Sequence, residues 1–153
     1  MIHKGDVVLW IFLTHVASTL VMVGVIWFVQ IVHYPLFSQV GDTTFSLYET
    51  HHARLTTYVV ALTMLVEMAT GLWLLWHHPI DALPVQVWLG IGLLAIAWLS
   101  TFFVQVPLHN VLTQGFDPVA HHKLVTSHWL RTIAWSARGL VVLWMMQRTL
   151  SIG

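Results

Sequence analysis

Four stretches of this 153-residue chain are apolar over about the length a helix needs to cross a bilayer, and polar residues gather between them. A hydrocarbon core of roughly 30 Å takes about 20 helical residues, and 7–32, 55–76, 85–106 and 129–146 are the segments that qualify. The pattern predicts an all-α fold: a polytopic membrane four-helix bundle forming a single domain over 1–153. Trp10, Trp27, Trp73, Trp76, Trp88, Trp129 and Trp144 fall near the predicted helix ends, where an amphipathic indole prefers the headgroup boundary. The first apolar run is longer than a signal-peptide core and lacks a small-residue cleavage region, so it is read as a retained helix. An even number of spans places both termini and the short 77–84 turn on one side of the membrane. The longer connections, 33–54 and 107–128, lie on the other. Pro35 and Pro107 are expected to end the first and third helices, because proline lacks an N–H donor and biases its predecessor away from helix. Lys4 and Arg148 on the terminal side balance Arg54 and Lys123 on the loop side, which leaves orientation open.

Composition supports the membrane reading. The chain is 58% hydrophobic and 8% charged, too little charge to cover a soluble domain, so lipid is its expected solvent and an integral, multi-pass membrane location follows. Its formal net charge is zero and its six Lys and Arg residues are scattered, which argues against nucleic acid as a partner. A lipophilic small molecule fits better, and assembly into a homo-oligomer or a larger membrane complex stays open. With no cysteine in the chain, a metal would need His, Glu or Asp. The halves also resemble each other: Phe28-Val29-Gln30, Pro35-Leu36 and His51-His52 parallel Phe103-Val104-Gln105, Pro107-Leu108 and His121-His122. This suggests a two-plus-two internal repeat with its axis along the membrane normal. Chance similarity between two membrane hairpins is the alternative.

Eleven histidines change the picture through their placement. His33 ends the first helix, His51 and His52 precede the second, His109 follows the third, and His121, His122 and His128 precede the fourth. Helix ends therefore converge on the loop-bearing face, with Glu49, Tyr34, Asn110, Arg54 and Arg131 nearby. Facing helices of a bundle build metal and cofactor sites in this way. His33, His52, His109 and His128 are the candidate metal and cofactor ligands, suited to iron, copper, zinc, manganese or haem; a site with no cofactor stays open. The adjacent pairs His51-His52, His77-His78 and His121-His122 point about 100° apart on a helix, so each would supply one ligand to any one site. No H-E-x-x-H or Glu-x-x-His signature on a helix is expected among the predicted spans, so the reading rests on convergence. Interfacial histidines bonded to water, headgroups or loop carbonyls are the competing explanation.

A second group lies deeper. His15, Glu67 and Arg138 fall at a common depth of about 12 to 15 Å from the terminal side at ~1.5 Å per residue. Intramembrane charges are costly and face the bundle interior, a water cavity or each other. Glu67, Arg138 and His15 are expected to form a structural ion pair with a neutral histidine beside it, the alternative being a proton relay. Polar positions at helical spacing connect the groups: His128, Arg131, Trp135 and Arg138; His52, Thr56, Thr63, Glu67 and Thr70; Thr101, Gln105 and His109; His15, Thr19, Gln30 and His33. Such stripes line either a cavity or a helix-packing interface. Met22, Met64, Trp98 and Phe102 would give a cavity an apolar wall.

At Val106-Pro107-Leu108-His109-Asn110-Val111-Leu112 and Trp129-Leu130-Arg131-Thr132 the chain resembles the anthrone-oxygenase-like family of small four-helix integral membrane proteins, many of unknown function. In that family V-P-L-N-N-x-L follows the third helix and N-x-x-R-T opens the fourth. The resemblance implies a membrane oxygenase acting on an apolar aromatic substrate. His109 and His128 stand where the family commonly has asparagine, and each adds a ligand. The sequence thus points to a small membrane oxidoreductase or oxygenase for an aromatic or quinone-like substrate. His33, His52, His109 and His128 would hold the redox centre, Arg131 would stabilise a developing oxyanion, and Glu67 would pass protons. The alternative is a non-catalytic haem-, metal- or quinone-binding membrane subunit of a larger complex. A transporter is disfavoured because four helices leave little room for alternating access.

Overall fold

A computed structural model describes residues 4–77 and 84–151, and these are helical almost throughout. The first rod is α1 (Lys4–Phe28), continued by a π-helical turn (Val29–His33) and a 3₁₀ turn (Pro35–Gln39). The second is α2 (Asp42–Leu74). The third is α3 (Pro84–Ser100), which runs through a second π-helical turn (Thr101–Gln105) into α4 (Val106–Leu112). The fourth is α5 (Pro118–Leu150). The 77–84 turn expected between the second and third helices lies largely outside the described residues, and His78 with it.

The helices are longer than the apolar segments. What reads as two long connections is mostly helix, because α2 begins at Asp42 instead of near Leu55 and α5 at Pro118 instead of near Trp129. These polar extensions fail a hydropathy test yet are helical, and the start of α5 is built for the purpose. The Asp117 side chain caps α5, accepting from the backbone N–H groups of Val119 at 2.8 Å and Ala120 at 3.1 Å, with Pro118 in the first turn where no N–H is needed. The turn before it relies on Gly115, whose φ of +147° disfavours a side chain. Pro107 does not end its helix as expected. It enters the first turn of α4 immediately after the π turn, where the ladder is already re-registered.

The rods pack as a square: α1 lies between α2 and α5, and α3 between α5 and, more lightly, α2. The diagonal pair, α2 and α5, meets through side chains at the centre. Along the axis, apolar and polar layers alternate. Phe12, Val16, Leu74, Val87, Val142 and Met145 fill the end that contains the start of α1 and the end of α5. Met22, Ile26, Met64, Leu94, Ala97 and Trp135 fill the middle. Tyr34, Phe37, Phe45, Leu112 and Leu124 fill the opposite end.

Between the first two apolar layers lies Arg138. Its Nε donates to Glu67 Oε1, its Nη1 to the Gly90 carbonyl, and its Nη2 to His15 Nε2 at 3.2 Å. His15 Nδ1 then donates to Thr70 Oγ1 at 2.8 Å, and Thr19 Oγ1 donates to Glu67 Oε1 at 3.0 Å. Glu67, Arg138 and His15 thus come together, and Arg138 bonds to each of the other three rods. Two glycines make room for it. A Cβ on Gly90 would stand 3.0 Å from Arg138 Nη1, and one on Gly71 3.1 Å from His15 Cε1.

Three helical stretches are long and apolar enough to cross a membrane: Gly5–Gln39, Asp42–Leu74 and Pro84–Leu112. The surface fits that role. Trp10, Tyr58, Leu62, Trp76, Trp88, Phe103 and Leu140 are among the most exposed side chains, while Glu49, Glu67, His128 and Arg138 are fully buried. Such an inversion suits lipid as the surrounding solvent. Removing one partner of the buried ion pair strands the other charge, which costs about 3–5 kcal/mol. Glu67→Ala is therefore expected to lower stability in detergent by that order, and adding Arg138→Met to recover most of the loss. Denaturant unfolding of the two variants measures both effects, and equal stability of Glu67→Ala and the parent would contradict the assignment.

Candidate functional site

The second polar assembly lies between the middle and outer apolar layers, where α1 gives way to its π turn. A π turn widens the helix by one residue and swings the following side chains around the axis, a geometry frequent at functional sites. Here it presents buried Gln30 toward α5 and places His33 and Tyr34 over α2 and α4. Gln30 Nε2 donates to the Val125 carbonyl at 3.3 Å. That fixes the amide, so its Oε1 accepts from His128 Nδ1 at 2.9 Å. His128 is therefore held with its proton on Nδ1 and a free electron pair on Nε2. The second π turn does something parallel: Gln105 is buried, accepts from Ser100 Oγ at 2.9 Å and donates to Ser127 Oγ on α5 at 3.2 Å.

The centre of the assembly is a carboxylate, two imidazoles and a phenol. Glu49 Oε1 accepts from His109 Nδ1 at 2.5 Å, and His109 Nε2 accepts from the Tyr34 hydroxyl at 2.8 Å. The His52 ring centroid lies 5.4 Å from that of His109. Its Nδ1 shares a 2.8 Å hydrogen bond with His33 Nε2 and a 3.1 Å one with Thr56 Oγ1. Among the described residues, Glu49, His52 and His109 form one group in which an oxygen or nitrogen from each lies within 4.8 Å of the others. Glu49 Oε2 and His52 Nε2 are buried with no hydrogen-bond partner among those residues. Unsatisfied buried polar atoms are costly, and both belong to groups that ligate metals.

Of the four histidines expected to act together, His52 and His109 share this group with Glu49. His33 stands behind His52, bonded to it, and His128 lies to the other side of Tyr34 with ring centroids 4.8 Å apart. The adjacent pairs divide as their angular separation requires. His51 is exposed while His52 is buried, and His122 is exposed while His121 Nε2 bonds to the Tyr34 carbonyl at 2.8 Å. Arg54 and Asn110, expected in the convergence, are exposed and do not join it. Arg131 is buried, and its Nη2 points to Met64 Sδ at 4.0 Å.

Two expectations need correction. The stripes do not line one continuous cavity between the polar assemblies, because Met22, Met64 and Trp135 pack closely across the interval. Phe102, expected on that wall, is exposed on the outer surface, where it contacts Trp98 at 5.2 Å. Space beside His33 and His52 lies on the surface instead: a groove of about 440 Å³ open to the outside, lined by Phe28, Val29, His33, Tyr48, His51, His52, Thr56 and Val60. The second correction concerns spacing. Glu49-Thr50-His51-His52 is a Glu-x-x-His pair, and reading the site by convergence alone overlooked it. It places Glu49 and His52 on one face of α2.

No known family model, no curated protein and no solved structure matches the chain. The residues themselves carry the functional argument. Gln30 holds His128, three residues before Arg131, so Gln30→Leu leaves the buried His128 N–H with only the Thr132 hydroxyl, 3.5 Å away. Stability is expected to fall by about 1–3 kcal/mol, read by thermal unfolding in detergent. A loss no larger than that of an exposed substitution such as Gln39→Leu would show that this bond does not fix His128.

Proposed function

We propose that this chain is a polytopic membrane oxidoreductase of four spanning helices in which Glu49, His52 and His109 hold a divalent transition metal. The fourth span is α5. Its hydropathy is depressed by His128, Arg131 and Arg138, but these are buried, while Trp129, Leu130, Ile133, Leu140 and Leu143 are exposed. A helix with an apolar exterior and a polar interior belongs among other helices in lipid. With four spans both termini share one side, and the two π turns with their buried glutamines support the two-plus-two repeat.

The observation that carries the proposal is the buried donor set of two imidazoles and one carboxylate. Two histidines and a carboxylate with open positions suit iron(II) in oxygen and electron chemistry, which is what a bound metal would supply here. The residues around it have their own tasks. His33 and Thr56 hold Nδ1 of His52 and so leave its Nε2 toward the group, an outer support of the kind that orients metal ligands. His109 already uses both nitrogens, so a metal taking this ring would replace one of its two hydrogen bonds and release either the Tyr34 hydroxyl or the Glu49 carboxylate. The groove beside His33 and His52 opens among exposed apolar side chains. It suits entry of an aromatic or quinone-like molecule from the bilayer, in keeping with the resemblance to the anthrone-oxygenase-like proteins.

The test is metal binding by the detergent-purified protein. We expect about one iron(II) per chain, with Glu49→Gln and His52→Ala each weakening binding by about ten- to a hundredfold in the range set by loss of a ligand or its support. His121→Ala should bind as the parent does. Undiminished binding in the Glu49→Gln, His52→Ala double variant, or none in the parent, would overturn the site. A non-catalytic binding subunit is the second reading, supported by the same groove. Metal or quinone binding without electron transfer from a reduced quinone would favour it.

A further inference from the structure

The metal group leaves two buried functional groups unused. His128 is fully buried, its Nδ1 proton is committed to Gln30, and its Nε2 has no partner among the described residues. Three residues along α5, on the same face, Arg131 is 4% exposed, and its Nε likewise has no partner. The described residues include no carboxylate paired with Arg131, in contrast to Arg138 with Glu67. A buried guanidinium without a counter-anion is costly to maintain. An unused proton acceptor and an unused cation on adjacent turns are complementary to one chemical group, an acidic hydroxyl.

We propose that His128 and Arg131 form a binding and deprotonation site for the hydroxyl of a phenol, enol or hydroquinone on an apolar body. The hydroxyl donates to His128 Nε2 while its oxygen accepts from Arg131. On ionisation the O–H proton passes to His128 Nε2, the bonding pair stays on oxygen, and the resulting oxyanion pairs with Arg131. No electron is transferred in this step, so no oxidant is needed. Tyr34, whose ring lies 4.8 Å from that of His128, offers an aromatic surface between this site and the metal group. Met64, the flexible thioether at the Arg131 amino group, lies one turn beyond Val60, which lines the groove. Its mobile side chain is the yielding part of the barrier between them.

The inference specifies the substrate class for the function proposed above, but its test is made without metal so that each can fail alone. Chelator-treated protein in detergent is titrated with 1-naphthol and with 1-methoxynaphthalene, which lacks the proton. The parent should bind naphthol at least about tenfold more tightly than the ether, the scale of a hydrogen bond to a charged group. Bound naphthol should show the red-shifted absorption of its anion at a pH where the free compound is neutral. Arg131→Gln and His128→Gln should each abolish the preference and the anion band, with ether binding changed less than about twofold. Thermal unfolding identifies a variant that has lost its fold, and Arg131→Lys, which keeps the charge, should retain part of the preference. An unchanged preference in folded Arg131→Gln and His128→Gln would overturn the proposal. So would dodecanoate binding that competes with naphthol and depends on Arg131 but not His128, since that marks a site for any lipid anion.

Discussion

The guanidinium of Arg138 is the bond on which the rest of the arrangement depends. It reaches the side chain of Glu67 on α2, a main-chain carbonyl on α3 and the His15 ring on α1. In apolar surroundings these are not interchangeable contacts, because losing one leaves a buried polar group without an alternative in lipid. Their sum fixes the depth of all four rods relative to one another. Helix geometry then propagates the register: Arg131 lies seven residues from Arg138, about 20° round the helix and roughly 10 Å along the axis, and His128 ten residues away, about 80° round and roughly 15 Å along. On α2 the same periodicity carries Glu67 through Met64, Val60 and Thr56 to His52. The outer assembly is thus aligned by a polar knot near the other end.

Why the outer assembly can be polar at all follows from the layers that enclose it. Met22, Met64 and Trp135 close it on the inner side, and Phe37, Phe45, Leu112 and Leu124 on the outer side. Water is kept from Glu49, which is fully buried, although His109 beside it retains 15% side-chain exposure. Both π turns serve this enclosure. Each turns a glutamine inward to a different station of α5, Gln30 to Val125 and His128, Gln105 to Ser127. A straight α-helix with the same residues would have kept its bonding ladder but swung the side chains beyond these turns away from the centre.

How much of this the sequence conveys depends on which physical signal each part leaves. Apolar runs mark the spans because lipid tolerates little else, and the inward stripes on α2 and α5 are legible because helical periodicity aligns them. Helix limits are not legible in the same way. Hydropathy reports only the portion facing hydrocarbon, whereas Asp42 to Arg54 and Pro118 to His128 are polar and helical. That error concealed Glu49: read as loop, it has no defined partner, but on a helix it lies one turn before His52. Arg54 and Asn110 fail to join the cluster for the complementary reason, since nearness in sequence to a converging end says nothing about which face a residue occupies. For α5 the apolar run 129–146 is legible although its buried Arg131 and Arg138 lower the hydropathy of a helix whose outer face is apolar.

Comparison of the two polar assemblies separates support from chemistry. Around Arg138, three guanidinium nitrogens each have an acceptor and both His15 nitrogens are engaged, so the network is largely closed and a visiting ligand would have to break bonds to enter. Among the described residues that bond in this network, Glu67 Oε2 is the atom left over. Around Tyr34 the reverse holds: Glu49 Oε2, His52 Nε2, His128 Nε2 and Arg131 Nε are all buried and unpartnered. Donors and acceptors are both present in that set, so poor pairing does not come from a shortage of one kind. It comes from positions held apart by Gln30, His33 and Thr56, each bonded to the opposite nitrogen of one of these histidines. A scaffold that spends bonds to keep neighbouring groups from satisfying one another stores binding capacity for something that enters between them. That difference is the support for proposing a ligand at the outer assembly, with the inner one as its anchor.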